Sequence, residues 1–242
     1  MIKILQILVV NLPLVGGQNI YTEAAQLEAK QRLALLAEND VVLGTASTAN
    51  ALTEYHHTKS GGALGGSKKT TLDTYQNKTQ VGTTLGGGEI LVSAGNDLKA
   101  KNLQAIADKD LSLQAVNNVS ISADTNYFKD THFEQKSKSG VFSGGGIGIT
   151  FGKQSETHES EAEGWQQSQA RSTLGSLSGN VSVKAGNHAH LSGTDLIASK
   201  ELDKAITIEG KSTYIGASQD ELPTVRNKNP SLAKRQKKPC KA

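Results

Sequence analysis

Aromatic residues make up only 4% of this 242-residue chain, and there is a single tryptophan. A compact enzyme core of this length draws on Phe, Tyr and Trp, because those side chains bury the most area each. Their scarcity argues against such a core. One cysteine, Cys240, excludes an internal disulfide framework and a cysteine-rich metal site. It does not choose a compartment. Long apolar runs are scarce as well. The run in Met1–Val15 is broken by Asn11 and Pro13 and is too short to span a bilayer. With one basic residue at its start it has the outline of a signal peptide, and Gly17 would be a permissible cleavage position. What stands in place of these features is 25 glycines with many Ser, Thr, Asn and Ala. Stacked repeats suit that composition, since narrow rows of Val, Ile, Leu and Ala can fill their core. The formal charge of +3 is unevenly spread. Beyond Glu221 there are seven basic residues and no acid, which leaves residues 1–221 at −4.

The repeat is plainest in Gly88–Ala123. Ile90 lies 21 residues before Leu111, Val92 before Leu113, Ala94 before Ala115, Leu98 before Val119 and Ala100 before Ile121. Apolar and polar residues alternate within each copy, the period of a half-buried strand. A turn cluster (Ala94-Gly95-Asn96-Asp97, then Ala115-Val116-Asn117-Asn118) interrupts the alternation. A short strand, a turn and a second strand returning every 21 residues describe one coil of a solenoid.

The same spacing relates Leu12, Leu14, Gly16 and Ile20 to Leu33, Leu35, Ala37 and Val41. Residues 20–38 would form a helix on propensity alone, but their place in the repeat argues for strands. A third copy begins at Gly179, where Gly179–Asn187 matches Gly88–Asn96 at an offset of 91. The strand-opening positions are then Leu12, Leu33, Ile90, Leu111, Val181 and Leu202. Coil pairs are separated by longer inserts, and the second insert carries a period-2 stretch after a triple glycine that predicts a strand or hairpin. Asn39, Asn96, Asn117 and Asn187 recur at one turn. There, stacked amides would form a ladder, or Asn would simply tolerate a left-handed turn. The divisions expected are an apolar segment or cap over 1–11, the coils over 12–216 and a disordered basic tail over 217–242.

Two-coil blocks with Gly95-Asn96-Asp97-Leu98 and Gly179–Asn187, separated by Lys138-Ser139-Gly140 with Gly144–Gly152 and by Val81–Leu85, resemble a known family. It is the haemagglutinin-repeat region of filamentous-haemagglutinin-type two-partner-secretion exoproteins, which include adhesins and contact-dependent growth-inhibition toxins. The resemblance implies an all-β fold, a right-handed parallel β-helix with inserted loops or hairpins between coil pairs. It further implies export through an outer-membrane transporter of the two-partner type, and a place outside a Gram-negative bacterium or on its surface. There the segment would face a host or target cell, in adhesion or in presenting a toxin. In growth-inhibition effectors the later repeat region is implicated in engaging the target's outer membrane, which makes Val141 to Phe151 a candidate contact, the alternative being a hairpin buried against the coil stack. No secretion domain of the family is seen before the first coil, nor a toxin domain after the last. The chain therefore reads as a piece of stalk without catalysis of its own.

Candidate chemistry is thin. Gly86–Gly88 and Gly144–Gly146 do not fit G-x-G-x-x-G, and Gly152-Lys153 lacks the rest of a P-loop, so they read as spacers. His188 and His190 share one strand face but have no third metal ligand at a supporting spacing, and His56-His57 is weaker. Glu156, His158, Glu159, Glu161 and Glu163 form a charged face rather than a cleft with matched carboxylates. Gly175–Gly179 puts Leu177 where a nucleophile elbow needs serine. The basic tail lacks the interleaved aromatics of a nucleic-acid binder. No catalytic, cofactor or metal residue is assigned, and no nucleic-acid partner is expected. Two rival readings are a β-helical polysaccharide-degrading enzyme, since that fold hosts such enzymes, and a gene remnant with no role.

Overall fold

The computed structural model describes residues 6–62, 65–143, 149–199 and 202–228, and every regular element among them is a strand. The chain divides into two units. A coil unit takes 1–48, 78–126 and 165–221, and a hairpin unit takes 49–77, 127–164 and 222–242.

In the coil unit the alternation seen in the sequence becomes alternating burial. Leu111–Ala115 reads buried at every second residue, and so does Ile90 to Ala94 within the strand Thr84–Ala94. Each strand pairs in parallel with its equivalent in the next coil. Leu12 faces Leu33, Leu33 faces Ile90, Ile90 faces Leu111, Leu111 faces Val181, and Val181 faces Ile206. Two residues on, Leu35, Val92, Leu113 and Val183 form a second row, each with no exposure. A second sheet stacks Ile20–Glu23, Val41–Gly44, Leu98–Lys101, Val119–Ser122, His188–Ser192 and Ser212–Gly216 in the same way. A third set, within 26–29, 84–87, 104–107, 172–176 and 194–197, stacks Leu27, Leu85, Ala105, Leu174 and Leu196. Parallel strands wound this way pair with the coils on either side, so their donors and acceptors are satisfied along the stack. The architecture is all-β, a parallel β-helix with six coils among the described residues. Ile20–Glu23 and Gln26–Ala37 are strands, so stacking overrides the helical propensity of 20–38.

Corners decide where the chain goes next. In the first coil of each pair it turns at a residue with positive φ, namely Ala24 (47°), Asn102 (47°) or Gly193 (56°), and continues into the third set of strands. In the second coil it runs on past Gly44, Ser122 or Gly216 into a strand of the other unit's sheet.

That sheet has five strands in the order Asp220–Lys228, Ile149–Gln166, Asn126–Ser143, Gly65–Val81, Ala46–Gly62. Facing residues run in opposite directions along the chain. His57 meets Thr70 and Gly61 meets Gly66, while Asp73 meets His132 and Gly65 meets Gly140. Lys129 meets Glu161 and His132 lies beside His158. The pairs are therefore antiparallel. None of the described residues in 49–77 or 127–164 is buried, so the sheet is a single layer open on both faces.

Several expectations need correction. Leu202 does not open the sixth strand. It lies half-exposed in a turn, and Ile206 takes the place over Val181, because four extra residues are lodged in the corner ahead of it. The inserts between coil pairs are strands outside the coils, as expected, so the span 12–216 is not all coil, and Ala49–Asn77 and Tyr127–Gly164 form their own unit. The supposed tail starts with an ordered strand, Asp220–Lys228, paired to Ile149–Gln166. The rest of it lies outside the described residues. At the other end Gln6–Gly16 is one strand paired to Gln26–Ala37, so residues 6–11 belong to the first coil rather than to a separate cap.

Candidate functional site

The recurring asparagines occupy one corner, where each coil passes from its first sheet to its second. The backbone crosses the corner as a ladder. Asn96 N donates to Asn39 O (2.8 Å), Asn117 N to Asn96 O (2.9 Å) and Asn187 N to Asn117 O (2.7 Å). The side chains follow it. Asn117 Nδ2 donates to Asn96 Oδ1 (3.4 Å) and Asp97 Oδ1 (3.1 Å), and Asn187 Nδ2 donates to Asn117 Oδ1. Asn39 Nδ2 instead reaches Asn19 Oδ1 (3.1 Å), and Asn96 Nδ2 reaches Asp40 Oδ1 (2.8 Å). None of the four has a positive φ. Hydrogen bonding between coils, not tolerance of a left-handed turn, accounts for asparagine here.

A second column, one residue further on, was not singled out from the sequence. Asn19 Oδ1 accepts from Asp40 N (3.0 Å), Asp40 Oδ1 from Asp97 N (3.1 Å), Asp97 Oδ1 from Asn118 N (3.2 Å), and Asn118 Oδ1 from His188 N (3.3 Å). Each side chain satisfies the backbone donor of the coil above it. The signal was available as paired Asx residues, Asn39-Asp40, Asn96-Asp97 and Asn117-Asn118, recurring at the coil spacing. Asn117→Ala removes a donor and an acceptor from the middle of the ladder. We expect it to cost ~2 kcal/mol, seen as a fall of roughly 4–8 °C in Tm for a chain of this size.

Burial pushes the Asp97 carboxyl up, but the Lys99 ammonium (3.1 Å) and the Asn118 donors outweigh it and hold the group below its ordinary 3.8. In the hairpin sheet, hydrogen bonds and charge from Lys136 and Lys69 hold Glu134 at about 2, well below 4.5. Both carboxyls are depressed in the folded chain. Their contribution is therefore complete above their unfolded values and is lost as pH falls through the folded ones. Stability should be flat from neutral pH down to about 5 and decline below about 4. A carboxyl-detected NMR titration should find Glu134 titrating near 2 rather than near 4.5.

The remaining candidates do not converge. His190 stacks on Tyr214, with ring centroids 4.7 Å apart, and His188 Nδ1 lies 2.5 Å from Ser212 Oγ, each contact bridging two coils. Of the acidic cluster, Glu161 and Glu163 pair with Lys129 across the sheet. Among the described residues no three His, Cys, Asp or Glu are placed to hold a metal ion. Val141 is exposed near the end of its strand, and 144–148, the middle of Val141 to Phe151, lie outside the described residues.

In-register parallel coils, ladders at a fixed corner and an excursion into a separate antiparallel sheet after every second coil define a repeat solenoid of the parallel β-helix class. Residues 64–231 match the family model for the hemagglutinin repeat, and the chain belongs to that family. It is 37% identical over 203 residues to a tRNA nuclease CdiA of Escherichia coli (strain STEC_O31), which covers 81% of this chain and 6% of that protein. To the 16S rRNA endonuclease CdiA of Enterobacter cloacae it is 34% identical over 213 residues, covering 87% of the chain and 6% of the relative. To the deoxyribonuclease CdiA of Dickeya dadantii it is 33% identical, covering 86% of the chain and again 6% of the relative. The chain thus spans about 6% of the length of these curated relatives. No solved structure matches it.

Proposed function

We propose that this chain is a non-catalytic stalk segment of a surface-displayed exoprotein of the contact-dependent growth-inhibition kind. The intact protein would leave a Gram-negative cell through an outer-membrane transporter of the two-partner type and reach a target cell. The observation that carries this reading is the register, which turns a Gly- and Asn-rich chain into a self-propagating stack. Each coil adds about 4.8 Å of length and presents strand edges to the next. The relatives add a second support. Proteins named for cutting tRNA, 16S rRNA and DNA share this segment at similar identity. A region common to all three does not select the nucleic acid that each one cuts.

A polysaccharide-cleaving β-helix would need acids and bases gathered on one outer face. On the first sheet the outward rows run Ala34, Leu91, Ser112, Ser182, Thr207 and Leu36, Ser93, Gln114, Lys184, Glu209, which offer no such set. Contact with the target membrane through Val141 to Phe151 remains part of the proposal.

Two measurements test it. The purified chain should cleave neither tRNA, 16S rRNA nor DNA, and turnover of any of them by the chain contradicts the non-catalytic reading. A cysteine placed at Thr58, with Cys240→Ser, in the intact exoprotein made with its transporter should react with an impermeant thiol reagent on whole cells. Labelling only after lysis contradicts surface display.

A further inference from the structure

Two histidines of the hairpin sheet have no part in the role proposed above. His132, on Asn126–Ser143, and His158, on Ile149–Gln166, have ring centroids 6.4 Å apart and planes tilted by 57°. Lys129 meets Glu161 on the same two strands, and three residues further along each strand stand His132 and His158, so the histidines are directly opposed. On its other side His132 meets Asp73, and its Nδ1 donates to Asp73 Oδ1. Asp73, His132 and His158 therefore form one row across three neighbouring strands, on one face of the sheet. The His132 side chain is 40% exposed and His158 is open to solvent, so a dissolved ion reaches both rings.

A carboxylate that accepts from Nδ1 fixes the imidazole tautomer, leaves the Nε2 lone pair free and raises its basicity. Metal-ligating histidines are commonly held in this way. Two imidazoles bonded to one tetrahedral ion at about 2.0–2.1 Å bring their centroids to roughly 5 Å. Closing to that distance takes side-chain rotation only, because opposed residues on antiparallel strands already have Cβ atoms about 5 Å apart. By alternation Asp130 and Glu156 flank the pair on the same face. The nearest lysines of that face, Lys69 and Lys136, are engaged with Glu134. The local field thus favours a cation.

We propose that His132 and His158 chelate a divalent transition-metal ion of the zinc or nickel kind, with Asp73 as a positioning residue and water completing the coordination. Among the described residues no third protein ligand converges, so the ion sits at the surface and exchanges with solvent, unlike one in a closed four-ligand site. Imidazole selects such ions over magnesium and calcium, which take oxygen ligands. One ligand from each of two antiparallel strands makes the ion a staple between them. A staple counts for much in this sheet, because none of the described residues in 49–77 or 127–164 is buried. An ion that binds only the paired strands shifts the equilibrium toward pairing. The site depends neither on export nor on an attached toxin.

The test is calorimetry of the full chain, carrying Cys240→Ser to remove the one thiolate ligand, with zinc and nickel chlorides against magnesium chloride. His132→Gln and His158→Gln should each weaken zinc binding at least tenfold, and the double variant little further, because a chelate fails with either arm. Asp73→Asn should weaken it several-fold and Asp73→Glu restore most of the loss. Long-range proton–nitrogen NMR should show zinc on Nε2 of His132, and a tautomer no longer fixed in Asp73→Asn, a change that lost packing alone does not produce. Replacing His188 and His190 by Gln together should leave the affinity unchanged. Zinc should also slow amide exchange in Asn126–Ser143 and Ile149–Gln166 but not in Leu111–Ala115. Circular dichroism of each variant checks that the fold is kept, and His158→Gln alters an exposed side chain only. Zinc affinity unchanged in His132→Gln or His158→Gln, a preference for magnesium, or loss of binding only with His188 and His190 overturns the proposal.

Discussion

Leu113→Asp should abolish cooperative folding of the whole chain. Leu113 has no exposure, sits in the fourth of six coils, and stacks between Val92 and Val183. A carboxylate there has no donor to meet it, and burying an unpaired charge costs more than a domain's entire net stability. The milder Leu113→Ala should still cost about 2–5 kcal/mol through lost burial and the cavity left behind. Position in the stack matters as much as chemistry. Each coil contacts only its neighbours, so a break in the middle separates the coils on either side. Ile208→Asp, in the same row but in the last coil and only partly buried, should leave the other coils folded. Chemical denaturation followed by circular dichroism distinguishes the two. Equal loss from both variants would mean that the apolar rows are not what holds the coils together.

Gly95→Ala should rank next, at about 3 kcal/mol, which is roughly 6–12 °C in Tm. Gly95 lies over Glu38 at the ladder corner, and an added Cβ would fall on the Glu38 carbonyl oxygen. That oxygen is backbone and cannot swing aside. Gly186 stands in the same relation to the Val116 carbonyl, so Gly186→Ala should behave alike. The glycine of these two Gly-Asn pairs is therefore a close-approach residue, and the asparagine after it carries the amide ladder. A Tm change below about 1 °C for both variants would mean that the coils are spaced more widely at this corner than their hydrogen bonds allow.

The coils were legible in the sequence for a physical reason. Burial acts on one face only, so selection for Ile90, Val92, Leu111 and Leu113 leaves a period of two that repeats wherever coils stack. The same reasoning failed at Leu202 because a fixed spacing was carried past a lengthened corner. The alternation of Ile206-Thr207-Ile208-Glu209 marks the true strand. The hairpin sheet was far less legible. With both faces in water, no period is imposed on Ala46–Gly62 or Gly65–Val81, and polar residues predominate on both faces. Its register shows only through cross-strand partners such as Asp73 with His132, which lie 59 residues apart. The corner ladder was half visible. The asparagine column was read, but the Asn19, Asp40, Asp97 and Asn118 column accepts from the backbone of the next coil as well as from side chains, and no residue type repeats strictly along it.

Cross-linking between coils tests the stacking most directly. Gln114 and Lys184 are 70 residues apart in sequence but directly opposed on neighbouring strands. With Cys240→Ser, the pair Gln114→Cys and Lys184→Cys should close under mild oxidation or with the shortest bifunctional thiol reagent. Gln114→Cys paired with Ser93→Cys, on the coil to the other side, should close as readily. Gln114→Cys with Glu209→Cys, two coils away, should not. Closure of the distant pair in preference to the adjacent ones would contradict the winding itself.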